Sequence, residues 1–140
     1  MVSAHYEHFP HGADIGVRGI ADSKAEAFAQ AALALTALVT DPAGVASRTK
    51  VLLECSAPSD LLLLNDWLNR LIYEMAVRRM LFGRYEVAID DGRLRAEAWG
   101  EPVDRDRHAP AVEPKGATLT ELKVGQRDDG GWVAQCIVDV

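Results

Sequence analysis

Two stretches with helical spacing of apolar residues lie among about six runs in which apolar and polar residues alternate. The first helical stretch follows the capping box at residues 23–26 and ends before Asp41-Pro42. The second follows a cap at Ser59 or Asp60 and extends toward Phe82. Alternation with a period of two is typical of strands that bury one face. The mixture predicts an α+β fold with two main helices packed on a mixed β-sheet.

The alternating runs are separated by residues that favour turns. A further strand is expected around Tyr6 and Phe9. The strand that begins at Asp14 is expected to break at Gly19. The predicted strands then cover residues 14–21, 48–56, 84–90, 93–101, 115–124 and 132–140. Residues 101–114 contain three prolines and no apolar periodicity, which predicts a surface loop carrying His108.

Length and composition narrow the class of protein. A chain of 140 residues can bury a core of its own, so residues 1–140 are predicted to form one domain. No apolar run reaches the roughly 20 residues that cross a membrane, and no signal-peptide pattern is present, which predicts a cytoplasmic protein. The formal net charge of -6 argues against stable nucleic-acid binding by the chain itself. Cys55 and Cys136 lie in alternating runs and are predicted to be buried thiols.

Carboxylates at two strand ends suggest a metal site. Asp14 lies between two glycines at the start of one predicted strand, and Asp139 follows Ile137 on the same face of the last strand. If these strands are neighbours, both carboxylates and the terminal carboxylate of Val140 give hard oxygen donors suited to Ca²⁺, Mg²⁺ or Mn²⁺. The alternative is that Asp14 is a turn or cap residue that accepts backbone hydrogen bonds.

Three histidines near the start of the chain raise the question of zinc. His5, His8 and His11 would share one face of a helix, but Pro10 and Gly12 make a helix unfavourable there. In an extended segment the three side chains point in different directions. A zinc cluster is therefore disfavoured.

Motifs at both ends of the chain and between them resemble the archease family. They are residues 6–17 (Tyr-Glu-His-Phe through His-Gly-Ala-Asp-Ile-Gly-Val), residues 26–28 and 31–34 of the first helix, residues 82–87, Gly100-Glu101, His108, Lys115 with Thr118, and the closing residues 137–140. Their order and spacing span nearly the whole chain. The resemblance implies a single compact archease-like domain.

The resemblance also implies a function. Archeases are small metal-binding accessory proteins that activate RtcB-type RNA ligases in tRNA splicing and RNA repair, promoting guanylylation and multiple turnover of the ligase without being enzymes themselves. Metal ligands of the family fall on Asp14, Asp139 and Val140. The resemblance assigns partner contact or activation to Lys115, His108 and His11.

This sequence departs from the family pattern in two places. Gly12 stands where the family commonly has threonine, and Thr118-Leu119-Thr120 replaces a frequent Thr-Tyr-His, which affects the partner contact or the choice of metal. A small metal-dependent phosphohydrolase using His108 as acid or base, and a chaperone-like factor, are the alternative functions. The second helix also suggests a homo-oligomer, because its apolar stripe is broad.

Overall fold

The computed structural model describes residues 2–140, which form helices and strands over most of their length. The helices are α1 (Lys24–Val39), α2 (Asp60–Arg78) and the short α3 (Arg105–His108). The strands are β1 (His5–His11), β2 (Asp14–Ala21), β3 (Thr49–Ser56), β4 (Met80–Asp90), β5 (Arg93–Pro102), β6 (Gly116–Ala117), β7 (Lys123–Gln126) and β8 (Trp132–Asp139). No helix in residues 2–140 is both long and apolar enough to span a membrane.

The strands form two antiparallel sheets against which the helices pack. The five-stranded sheet has the order β1-β2-β8-β6, with β7 also paired to β8, and the three-stranded sheet has the order β3-β5-β4. The α+β class with helices on sheet is confirmed. The single mixed sheet is corrected to two antiparallel sheets, because hairpins join β1 to β2 and β4 to β5 and every other pair is also antiparallel.

Helix α1 lies directly on β2, and glycine makes this close approach possible. A Cβ atom on Gly19 would lie 2.1 Å from the carbonyl oxygen of Ala27 and 2.4 Å from the backbone nitrogen of Ala31. The predicted break at Gly19 is therefore wrong: β2 continues to Ala21, and the glycine is needed for packing. Ala27 and Ala31 are fully buried, as expected for a helix whose small residues face a sheet.

Helix α2 is shorter than its apolar pattern suggests. Ser59 caps its first turn through the amide of Leu62, as predicted. Arg79 adopts a left-handed conformation with φ of 54° and ends the helix, so Phe82 lies on β4 and does not extend α2. Trp67 is fully buried and donates its indole N–H to the carbonyl of Phe28 at 3.1 Å, which fixes α2 against α1.

The remaining apolar residues of α2 divide between the core and the surface. Leu63 is fully buried, whereas Leu61, Leu62, Tyr73 and Val77 are exposed. Association through this exposed side of α2 stays a prediction.

Both cysteines are free thiols, and neither takes part in a disulfide. Cys136 is buried, which confirms the prediction for this thiol, whereas Cys55 is only half buried and packs against the core. Burial raises the pKa of each thiol to about 11, so both stay protonated at neutral pH.

Candidate metal site

The ends of β1, β2 and β8 meet at one end of the five-stranded sheet. His11 lies opposite Asp14 in the hairpin of β1 and β2. β2 pairs with β8 with Ile15 opposite Val138, which confirms the predicted pairing of these strands. The preceding residue of β2 and the following residue of β8 are therefore opposite each other, and these are Asp14 and Asp139. Side chains directly opposite in an antiparallel pair share one face of the sheet.

The hairpin turn brings Asp14 back beside β1. Gly12 has φ of 60°, a conformation that glycine adopts without strain, so the tight turn expected from this glycine is confirmed. The second flanking glycine has another role. A Cβ atom on Gly16 would lie 2.1 Å from the ring of Phe9, so Gly16 makes room for this aromatic side chain rather than for a bound group.

The short strand β6 completes the row on the other side of β8. Gly116 lies opposite Asp139, and the backbone N–H of Lys115 donates to the carbonyl oxygen of Asp139 at 2.7 Å. Lys115 is exposed, as is Asp139, whereas Asp14 and Val140 are half buried. The structure thus brings five of the six predicted site residues to one end of the sheet.

Two asparagines of α2 hold β6 in place. Asn69 accepts from the N–H of Ala117 at 2.8 Å and donates to the carbonyl of Ala117 at 3.1 Å. Asn65 donates to the carbonyls of Ala117 and Thr118 at 3.1 and 3.0 Å. These amides satisfy the edge of a two-residue strand that no further strand covers. Their four-residue spacing, which places both amides on one face of α2, is the sequence signal that indicates such a role.

The predicted 115–124 strand is accordingly interrupted. β6 ends at Ala117, and β7 begins at Lys123. Between them the chain leaves the sheet edge, and Glu121 has φ of 48°. Leu119, at one of the family-pattern departures, is 65% exposed in this segment.

The donor set fits a hard divalent cation only with help from the backbone and solvent. Asp14 and Asp139 provide two carboxylates, and Val140, the residue that follows Asp139, is a further source of main-chain oxygen. Nowhere in residues 2–140 do three His, Cys, Asp or Glu side chains converge as a metal-binding group. Cations that accept carboxylate, carbonyl and water oxygens together, such as Ca²⁺ and Mg²⁺, suit this set better than zinc.

The sixth predicted site residue, His108, lies elsewhere and is buried. Its Nδ1 accepts from the backbone N–H of Asp104 at 2.9 Å, so the proton is on Nε2, which donates to Glu101 at 2.9 Å. Glu101, only 1% exposed, also receives hydrogen bonds from Arg107 at 2.6 Å and from the N–H of Ala46 at 2.7 Å. The prediction that Glu101 and His108 lie in a surface loop is therefore wrong.

The hydrogen bonds that Glu101 receives from Arg107 and His108 anchor the segment that leads to Lys115. The hydrogen bond from Arg107 is the main cause that holds the pKa of Glu101 well below its ordinary value of 4.5, and the bond from Ala46 adds to it. A carboxyl with a lowered folded-state pKa stabilises the fold above its ordinary pKa, and that stability is lost as the pH falls below it.

Replacing Glu101 by glutamine should lower stability at pH 7 and flatten its decline in acid. The wild-type chain should lose unfolding free energy between pH 5 and pH 2, where Glu101 is protonated in the unfolded chain first. Urea unfolding at both ends of this range measures the difference. Glu86→Gln, which removes an exposed carboxylate paired with Arg84 at 3.0 Å, is the matched control. Equal pH profiles for wild type and Glu101→Gln would contradict the assignment.

The fold and the site together define a small α+β protein with paired carboxylates at one end of an antiparallel sheet. Comparison with known proteins agrees with this class. The Archease protein family (MTH1598/TM1083) matches residues 6–140. The chain belongs to the archease family.

Relatives and solved structures give the same result. Protein archease from Pyrococcus furiosus is 34% identical over 139 residues, covering 96% of this chain and 98% of the relative. Protein archease from Methanopyrus kandleri is 36% identical, covering 96% and 99%. The solution structure of protein 1598 from Methanobacterium thermoautotrophicum matches with a TM-score of 0.84 at 28% identity, over 96% of this chain and 98% of that one.

A more distant structure shows the same fold. The crystal structure described as an archease and possible chaperone from Thermotoga maritima matches with a TM-score of 0.59 at 15% identity, over 96% of both chains. At this identity the likeness concerns the fold alone.

Proposed function

We propose that this protein is a metal-binding accessory factor that activates an RtcB-type RNA ligase in tRNA splicing or RNA repair, promoting its guanylylation and multiple turnover. The observation that carries the proposal is the placement of Asp14 opposite Asp139 at an open sheet end, in a chain that belongs to the archease family. Both carboxylates can bind one cation there, together with main-chain oxygen of Val140. The bound ion would be Ca²⁺, Mg²⁺ or Mn²⁺.

The residues around this end of the sheet suit contact with a partner. A divalent cation, when bound, supplies positive charge that can neutralise phosphate oxygens during nucleotidyl transfer. Lys115 is exposed and its main chain is fixed to that of Asp139, so its ammonium group can bind a phosphate or an acidic partner residue close to the site. We assign His11 to contact with the same partner, and its position opposite Asp14 supports this role. The role we assign to His108 is positional, since it helps to hold the segment leading to Lys115.

The phosphohydrolase alternative has less support. It required His108 as a proton donor or acceptor, but both ring nitrogens of His108 are engaged inside the protein and its side chain is 1% exposed. A general acid or base must reach its substrate. A chaperone-like function keeps one supporting fact, the words "possible chaperone" in the description of the Thermotoga maritima structure.

RNA joining by a cognate RtcB-type ligase tests the proposal. The ligase is assayed with GTP and Mn²⁺ under single and multiple turnover, alone and with wild-type protein. Asp139→Asn removes one carboxylate charge at the site. Asp90→Asn makes the same charge change at an exposed hairpin of the other sheet and is the control. Lys115→Gln tests the neighbouring ammonium group.

The expected result is that wild type and Asp90→Asn raise multiple turnover, whereas Asp139→Asn and Lys115→Gln do not. Folding of each variant is checked by its thermal midpoint, since these exposed positions contribute little to the core. No effect of wild type on turnover would refute activation. Equal stimulation by Asp139→Asn would separate activation from the proposed metal site.

A further inference from the structure

A second row of polar side chains crosses the same face of the five-stranded sheet. Glu7 lies opposite Arg18, Arg18 lies opposite Gln135, and Gln135 lies opposite Lys123. The row therefore runs across β1, β2, β8 and β7, with all four positions on one face. It is on the face that carries Asp14 and Asp139, because residues two or four apart in a strand share a face.

This row borders a pocket of about 300 Å³. Its lining residues are Glu7, Arg18, Ile20, Lys123, Arg127, Val133 and Gln135. Buried Ile20 and Gln135 form part of the wall, and Gln135 is fixed by donating to the carbonyl of Glu121 at 3.1 Å. A Cβ atom on the neighbouring Gly125, opposite Val133, would meet nothing within 4 Å, so the space beside the pocket is open.

Arg18 is held in a fixed orientation at this pocket. Its Nε donates to Gln135 at 2.9 Å, and its guanidinium lies 4.5 Å from the centre of the Phe9 ring. One of its terminal nitrogens is 3.7 Å from Glu7. A guanidinium oriented by stacking and one hydrogen bond loses little further freedom when its remaining N–H groups bind an anion.

The other two basic residues of the pocket, Arg127 and Lys123, make few contacts with the rest of the protein that would account for their positions. Arg127 pairs with the exposed Asp129 at 3.4 Å. Lys123 is exposed, and no carboxylate of residues 2–140 lies within 4 Å of its ammonium group. Three cations thus surround one pocket, against the single lining carboxylate of Glu7, in a chain with a net charge of -6. Such a local concentration of positive charge attracts anions despite the opposite overall charge.

We propose that this pocket binds a phosphate group, supplied by a nucleotide or by a single-stranded RNA. Arg18 and Arg127 offer paired N–H donors that match phosphate oxygens, and Lys123 offers a free ammonium. Gln135 can add a polar contact from the wall. The open space beside Gly125 leaves room for the group that carries the phosphate.

The pocket lies near the candidate metal site without being part of it. Arg18 and Asp14 are four residues apart on β2, which corresponds to about 13 Å along an extended strand. The Phe9, Gly16 and Ile137 row separates them. The phosphate site is independent of the proposed ligase activation, because its geometry involves neither a metal nor a partner protein.

Binding is tested by NMR titration of the isotope-labelled full chain in EDTA at constant ionic strength. Separate titrations use inorganic phosphate, GMP, and a short single-stranded RNA with and without a 3′-phosphate. Localised amide shifts are expected at Arg18, Gly125, Gln126 and Gln135. Lys123→Gln combined with Arg127→Gln should weaken binding on the order of 10-fold or more, since it removes charge-assisted hydrogen bonds.

The control removes the same two charges elsewhere. Lys50→Gln combined with Arg95→Gln alters exposed basic residues on the three-stranded sheet and should leave the affinity unchanged. Tighter binding of GMP than of phosphate would support a nucleotide, and tighter binding of either RNA would support an RNA phosphate. Shifts spread evenly over the surface, or equal affinities for the two double variants, would overturn the proposal. With no ligase or divalent metal present, such a failure would leave the proposed activation untouched.

Discussion

Replacing Asp139 by asparagine should weaken binding of Ca²⁺ or Mn²⁺ on the order of 100-fold, and replacing Asp14 by asparagine should do the same. The two carboxylates are the charged donors at the ends of β2 and β8, at positions that the register of these strands, with Ile15 opposite Val138, places opposite each other. Asparagine keeps the size and shape of the side chain but removes the charge that a hard cation requires. Isothermal titration calorimetry of wild type and variants measures the change.

The pair of positions provides its own consistency test. Because both carboxylates would bind one ion, the double variant should bind it more weakly than either single variant. Asp90→Asn, at the β4–β5 turn of the other sheet, should bind metal as wild type does. Normal metal affinity in both single variants would show that the ion does not bind at Asp14 and Asp139.

Replacing Gly19 by alanine should lower the free energy of unfolding by about 3 kcal/mol, because the added methyl group has no space between β2 and α1. The added Cβ would lie 2.1 Å from the carbonyl oxygen of Ala27 and 2.4 Å from the nitrogen of Ala31. Both are backbone atoms of α1, so no flexible side chain can move to relieve the overlap. Either α1 shifts away from β2 or the core around it loosens. Urea unfolding measures the loss.

Gly125 offers a matched control in the same sheet. It lies on β7, and a Cβ atom there would meet nothing within 4 Å. Gly125→Ala should therefore change stability by less than about 1 kcal/mol, with a small gain expected from the stiffer unfolded chain. A similar loss in both variants would show that glycine matters for strand flexibility and not for the approach of α1.

Elements whose causes are local were predictable from the sequence. Ser23 accepts from the amide of Glu26 at 3.1 Å and begins α1, as the capping box indicates. Ser59 begins α2 in the same way. The Asp91-Gly92 turn joins β4 to β5, with positive φ at both residues. In each case the residues that determine the structure lie within a few positions of one another.

Features that depend on distant contacts were not predictable in this way. Gly19 has the local pattern of a strand break, and only the position of α1 shows why it is a glycine. Glu101 and His108 have the composition of a surface loop, yet Arg107 and the amide of Ala46 stabilise the carboxylate inside the protein. The short β6 depends on Asn69 of α2, which is 48 positions away from Ala117.

The same distinction applies to the two candidate sites. The proximity of Asp14 and Asp139 could be predicted from the sequence because both occur at strand ends and the family resemblance assigns both to one metal site. The phosphate pocket could not be predicted, since Arg18 and Gln135 are 117 positions apart and become neighbours only through the register of β2 and β8. An acidic net charge gives no hint of a local basic row.

The position at which a divalent cation binds can be mapped residue by residue in solution. Mn²⁺ added in small amounts to the isotope-labelled protein broadens the NMR signals of nearby amides. If the ion binds between the ends of β2 and β8, the broadening will be centred on Asp14, Gly116 and Asp139, which lie in one row at the end of the sheet, and it will be lost in Asp139→Asn. Broadening centred instead on the acidic hairpin at Asp128 and Asp129 would contradict the metal site on which the proposed function depends.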